Sequence, residues 1–386
     1  MSPFSFDTLT WPAAAIFLMT LIVSYHATKM PGTSVFAAFI KAGFFVIYFG
    51  LVFDGTFTFL DDWTYLEGGK DLLNDGVGVT NLAENWELAL MIGGGEHFLY
   101  HLHNAYAFRL FGEGYFAPVA LNILLTVLIA YYGMRLAVLE FGFNRRASNL
   151  FFFFLLLHPD ILAWSNVMNG KDVLVLQLHV ILLTAASIYL RGQLYKALWL
   201  ALPAVLILFF LRFYVPLLFA MALILGAVLT KRQGQFWYLT ISIAFVSLLL
   251  TWIGEGGLQF VFTALQENFV NPFYGLIRML LTPIPFNTEE SYAFLNLPAL
   301  MHWLLMPFFI IGLHKVWKTR TPFARFMIAY LMVFFGLYAI YGELQGPRHR
   351  VQLDFAWALL QFIGAMAVMR KVTRSHDYRP QKSVPV

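Results

Sequence analysis

A chain of 386 residues in which 60% are hydrophobic and only 12% charged, with mean hydropathy +0.71, is not built like a soluble domain; such domains carry about 25% charged residues. The absence of cysteine excludes disulfides and thiolate metal centres. The net charge of +4 could suggest nucleic acid as a partner, but the distribution of the basic residues points to membrane orientation instead.

Apolar runs of spanning length fall at 11–25, 35–53, 115–138, 147–164, 172–190, 197–211, 213–230, 236–253, 298–314, 323–341 and 353–370. They predict an all-α integral membrane fold of about eleven transmembrane helices, organised as one polytopic domain over 1–371. The two runs within 197–230 share so few residues that both helices should be short or broken. The leader Met1 to Thr10 has no Lys or Arg and contains Asp7, so the first run is not expected to be a signal peptide. The polar stretch 372–386, with two prolines, reads as a disordered cytoplasmic tail.

Charge tests this count. With the N-terminus outside, the predicted cytoplasmic segments hold Lys29, Lys41, Arg135, Arg145, Arg146, Arg191, Lys196, Lys231, Arg232, Lys315, Lys318, Arg320, Arg325 and the basic residues of the tail, while Glu140 and Asp377 are their only acids. Basic loops translocate poorly and stay cytoplasmic. The other face carries two long loops, 54–114 and 254–297, which should include interfacial helices, and two short charged ones, 165–171 and 342–352. Long external loops on a polytopic chain suggest a working surface.

The first long loop opens Phe59-Leu60-Asp61-Asp62-Trp63-Thr64-Tyr65. A carboxylate at the membrane surface can take a proton from a hydroxyl, or it can cap the helix that follows; both readings fit Asp61 and Asp62. Further on, His97 and His101 stand four apart beside Glu96, a spacing that suits either a divalent metal ion or an interfacial amphipathic helix. Lys171-Asp172 reads as an ion pair at a helix start or as a contact to a phosphate or carboxylate. Arg212, between two apolar stretches and four residues before Pro216, needs an anionic partner or a water-filled cavity. Arg348, His349 and Arg350 follow Gly346-Pro347 in a translocated loop, where a phosphate or pyrophosphate headgroup would hold them. Simple snorkelling to lipid is the alternative.

These features together resemble the GT-C superfamily of multi-span membrane glycosyltransferases, in particular its bacterial surface-polysaccharide members. The resemblance rests on Asp61-Asp62 followed by Tyr65, on Leu110-Phe111-Gly112 through Asn122, Pro159, Ser165, Lys171-Asp172 and Leu211-Arg212, and on Gly346-Pro347-Arg348-His349-Arg350 before a last apolar run. It is a pattern of spacing over 54–370, and the acidic loop follows the second apolar run where the family's usually follows the first. The resemblance implies a polyprenyl-phosphate-linked sugar as donor, a glycan or glycolipid acceptor, and inverting transfer on the periplasmic face of the cell membrane. It implies Asp61 or Asp62 as base, with donor phosphate held by Arg348, Arg350, His349 and Arg212, and substrate contacts from Lys171, Asp172 and Tyr65. A divalent ion, with His97 and His101 as ligands, is the one cofactor the sequence suggests. Two other functions fit the same architecture: a polymerase or ligase joining lipid-linked oligosaccharides, and a non-enzymatic transporter or flippase. The long acidic external loop favours an enzyme, since transporters keep their charges near the midplane and show paired repeats.

Overall fold

The structure is a computed structural model that describes residues 3–94, 97–230 and 266–373, together with 237, 240–241, 243–245 and 263. The run 236–253 and the tail beyond 373 therefore lie wholly or largely outside the described residues. Those described are helical throughout, with no strand beyond one isolated bridge between Phe269 and Tyr341. Helices α1 (Phe6–Thr28) and α2 (Pro31–Ile47, continued by a π-helical turn to Val52) form a hairpin. The first long loop folds into α3 (Leu60–Asn74), α4 (Trp86–Ile92) and α5 (Phe98–Phe111). There follow α6 (Phe116–Phe141), α7 (Arg145–Leu156), α8 (Pro159–Val167), α9 (Asp172–Leu190), α10 (Leu194–Phe209) and α11 (Tyr214–Thr230). The C-terminal part comprises α12 (Pro272–Leu281), α13 (Asn296–Thr319), α14 (Pro322–Ile340), the short α15 (Pro347–Val351) and α16 (Asp354–Thr373).

Seven helices among the described residues are long and apolar enough to cross a membrane, with α7 and α8 counted as one and α13 extended back to Glu290. The chain thus has the build of a multi-pass membrane protein. Helices α10 and α11 are apolar but shorter, as the crowded run 197–230 predicts. The α7–α8 break falls at His158-Pro159, where Pro159 occupies the first turn of the new helix; proline is accepted there because that amide has no partner in any case.

Apolar side chains face outward on the N-terminal hairpin, among them Trp11, Ile22, Phe36 and Phe39, as lipid contact requires. The interior seam between α13 and α16 is set by glycine. A Cβ added at Gly312 would meet the Leu360 carbonyl oxygen at 1.9 Å, and one at Gly364 would meet that of Phe308 at the same distance. Small residues let helix backbones approach closely where the hydrophobic effect gives no drive. Lys41, expected among the cytoplasmic charges, is instead wholly buried within α2 and donates to Thr126 Oγ1 at 2.6 Å. Arg191 pairs with Glu140 at 3.0 Å on the side assigned to the cytoplasm.

A candidate active site at one end of the helices

Helix α3 lies on α5 because Gly68 and Gly69 carry no side chain: a Cβ at Gly68 would fall 1.7 Å from His101 Nδ1, and one at Gly69 2.5 Å from Asn104 Cβ. The close approach holds the first turn of α3 in place, and the two aspartates there take different roles. Asp62 is fully buried. Its Oδ2 accepts from the backbone N–H of Phe59 at 3.1 Å, which is the capping interaction, and from the Tyr115 hydroxyl at 2.8 Å. Asp61, one residue and about 100° earlier on the helix, has a side chain 52% exposed and meets Arg348 Nη1 at 2.9 Å. Capping and accessible carboxylate thus coexist in one dipeptide.

Behind Asp62 a network of neutral polar groups sets the floor. Asn169 Nδ2 donates to the Asp62 carbonyl at 3.1 Å and to Asn104 Oδ1 at 2.8 Å, and Asn169 Oδ1 accepts from the Tyr100 hydroxyl at 3.0 Å. Asn122 donates to Tyr100 Oη and to the Gly170 carbonyl, both at 3.1 Å. These bonds join α3, α5, α6 and the 168–171 turn. Nothing about Tyr115, Asn104 or Tyr100 distinguishes them in the sequence from ordinary interior polar residues.

Asp172, at the start of α9, is the hub. Its Oδ1 accepts from Arg212 Nη2 at 2.9 Å and Gln352 Nε2 at 2.7 Å, and its Oδ2 accepts from Arg348 Nε at 2.8 Å. Arg348 therefore bridges Asp172 and Asp61, drawing in residues 287 positions apart in the chain. Removing one partner of such a buried pair costs about 3–5 kcal/mol, so Asp172 positions both guanidiniums. The Lys171 ammonium lies 3.0 Å from both ring nitrogens of His97 and 5.5 Å from the Tyr65 ring centroid.

The electrostatics follow from burial and these neighbours. Burial raises the Asp61 carboxyl, but Arg348, both by charge and by hydrogen bond, outweighs it and leaves the group below its ordinary value. Burial, reinforced by Arg212, brings Lys171 down to about 6. Burial and Arg212 also lower His349 to about 3. At neutral pH the site holds two guanidiniums against the Asp61 and Asp172 carboxylates, with Lys171 poised to accept a proton if an anion arrives.

Burial pushes Asp62 up to about 7 in spite of its hydrogen bonds. A carboxyl raised in this way stabilises the fold fully below its unfolded pKa of about 4, and the contribution is lost as pH rises through about 7. Asp62→Asn, neutral throughout, should therefore flatten the decline in melting temperature between about pH 4 and 7. The difference between wild-type and variant curves isolates Asp62 from Lys171, whose lowered pKa acts in the opposite sense above about pH 6. Parallel curves would contradict this assignment.

The other residues singled out from the sequence divide. Arg350 does not join Arg348. On a short helix two residues apart are about 200° apart, and Arg350 turns into the protein, donating to the Thr282 carbonyl and lying 3.6 Å from Asp160. His101 packs under Gly68, edge-on to Tyr65. With His97 against a lysine, the His97–His101 pair has no third metal ligand beside it among the described residues; Glu96 lies outside them. Next to α15 a cavity of about 620 Å³ is lined chiefly by apolar groups, including Leu281, Ile284, Tyr292, Trp303 and Pro347.

No family model matches the chain, and no curated protein or solved structure matches it.

Proposed function

We propose that the chain is an inverting glycosyltransferase of cell-surface polysaccharide or glycoconjugate assembly, taking its sugar from a polyprenyl-phosphate donor. The observation that carries this reading is the convergence of one accessible carboxylate, Asp61, with two guanidiniums, Arg348 and Arg212, that share a buried anchor. Such a set supplies a base and an anion clamp within one side chain's reach. The full reading comprises about eleven spans with the N-terminus outside. The site then faces the non-cytoplasmic side of the cell membrane.

In the proposed reaction the donor phosphate takes over the Arg348 guanidinium from Asp61. The released carboxylate regains basicity and removes the proton from an acceptor hydroxyl. The hydroxyl oxygen attacks the anomeric carbon from the face opposite the phosphate, the bond to the phosphate oxygen breaks, and polyprenyl phosphate leaves with the electron pair. Arg348 and Arg212 stabilise the growing negative charge, and a protonated Lys171 adds to it. The cavity beside α15, whose lining includes Gly346 and Pro347 just before Arg348 in the chain, offers a largely apolar surface for the lipid chain. A polymerase that grips two pyrophosphates needs more positive charge, and Arg350 is turned away from this site.

Purified protein in lipid nanodiscs, given a synthetic polyprenyl-phosphate sugar, should release polyprenyl phosphate with a glycan or glycolipid acceptor present and far more slowly without one. Intact donor across a panel of sugars and acceptors, with the lipid moved between leaflets instead, would favour the flippase.

A further inference from the structure

We infer that His158, Asp160, Asp354 and His302 form a binding site for a divalent transition-metal ion of the zinc class. The group lies where the α7–α8 break, the outer part of α13 and the start of α16 meet. Ligand atoms of His158, Asp160 and Asp354 all lie within 4.8 Å of one another, and all three residues are buried. Donors on a single ion with bonds of about 2.0–2.2 Å stand about 3–4.4 Å apart, so one ion fits among them with small side-chain adjustments.

The two histidines of the cluster are oriented as metal ligands are. His302 Nε2 lies 2.9 Å from the Leu280 carbonyl oxygen, which only accepts, so that nitrogen carries the proton. In the neutral ring Nδ1 then holds a lone pair; it is buried without a hydrogen bond and faces Asp160 Oδ2 at 3.4 Å. Two acceptors face one another with nothing between. His158 repeats the pattern: Nε2 is 3.0 Å from Gln361 Oε1, and Nδ1 is buried with no partner. A histidine whose outer nitrogen donates to a carbonyl, with its other lone pair turned inward, is the arrangement that orients metal ligands.

Charge points the same way. Asp354 is fully buried and neither carboxylate oxygen has a hydrogen bond. Among the described residues Arg350, 3.6 Å from Asp160 Oδ2, is the cation set against Asp160 and Asp354, so with both carboxyls ionised one negative charge is left for a bound cation to balance. Two imidazoles and two carboxylates suit zinc or a neighbouring divalent metal better than calcium or magnesium. The ion would tie three helices together beside Arg350, itself two residues from Arg348, which makes it a structural ion for the platform carrying that arginine. This inference does not depend on the glycosyltransferase reading.

The test uses the full chain purified without chelator. Elemental analysis should find about one transition-metal ion per chain. A chelator should lower the melting temperature and Zn²⁺ restore it, and Co²⁺ loading should give the visible absorption of nitrogen and oxygen ligation. His158→Ala and Asp354→Asn should retain about tenfold less metal or lower and lose the Zn²⁺ response, whereas Asp75→Asn should behave as wild type. Wild-type protein without metal, and with a melting temperature indifferent to Zn²⁺, Mn²⁺ and Co²⁺, would overturn the site. So would metal held equally by the two site variants. In either case protons neutralise the cluster, and Asp354→Asn, by replacing a buried carboxyl that must hold a proton with a permanently neutral amide, should raise the melting temperature at neutral pH instead of lowering it.

Discussion

Asp61→Asn should lower sugar transfer by about 10²-fold or more, the scale of a lost general base, without weakening donor binding. The side chain is half exposed and its bond to Arg348 is one that an amide oxygen can also accept, so the fold has little to lose. The loss should appear in kcat. Donor affinity should hold or tighten, because the carboxylate that competes with the donor phosphate for Arg348 is gone. Asp62→Asn should retain most of its activity, since that carboxyl is buried under Tyr115 and caps α3. Single-turnover transfer with saturating donor separates the two. Near-normal turnover in Asp61→Asn, or a larger defect in Asp62→Asn, would remove Asp61 as the base.

Arg348→Lys is the second large effect expected, and it falls on the donor. Arg348 uses Nε on Asp172 and Nη1 on Asp61, a fork that a single ammonium does not reproduce. Loss of a charge-assisted contact of about 1.5–3 kcal/mol should raise the donor dissociation constant roughly ten- to a hundredfold. Arg212→Lys should follow in the same direction, because it shares Asp172. Arg350→Lys should leave donor binding near wild type, since its contacts are Thr282 and Asp160. Donor titration across these three variants measures the separation. Equal tolerance of lysine at all three positions would match snorkelling to lipid headgroups.

The helices were legible because hydrophobic length and loop charge are properties of short segments. The runs 115–138, 172–190 and 323–341 recur as α6, α9 and α14 with ends displaced by a few residues at most, whereas the run 147–164, read as one span, is broken at His158-Pro159 into α7 and α8. Lys41 misled because a single ammonium six residues into an apolar run was counted with the loop charges, and only the tertiary fold supplies Thr126 as its partner. In the site, the charged residues announced themselves by being costly in a membrane protein. Their grouping did not: that Asp61 meets Arg348, and that Arg350 turns the other way, depends on how the last loop folds over the first. Neutral groups such as Tyr115, Asn104 and Gln352 gave no signal, because one amide or phenol in an apolar chain looks like any other until its partners are seen. His302 was hidden for the same reason, inside a run read only for its hydropathy.

The most direct measurement of the central claim is the pool of polyprenyl-phosphate lipids, read by mass spectrometry in cells that lack the chain and in the same cells given wild type or Asp61→Asn. A polyprenyl-phosphate sugar should accumulate without the chain, return to its normal level with wild type, and remain high with Asp61→Asn although that variant reaches the membrane. A lipid pool identical in all three strains would contradict the account.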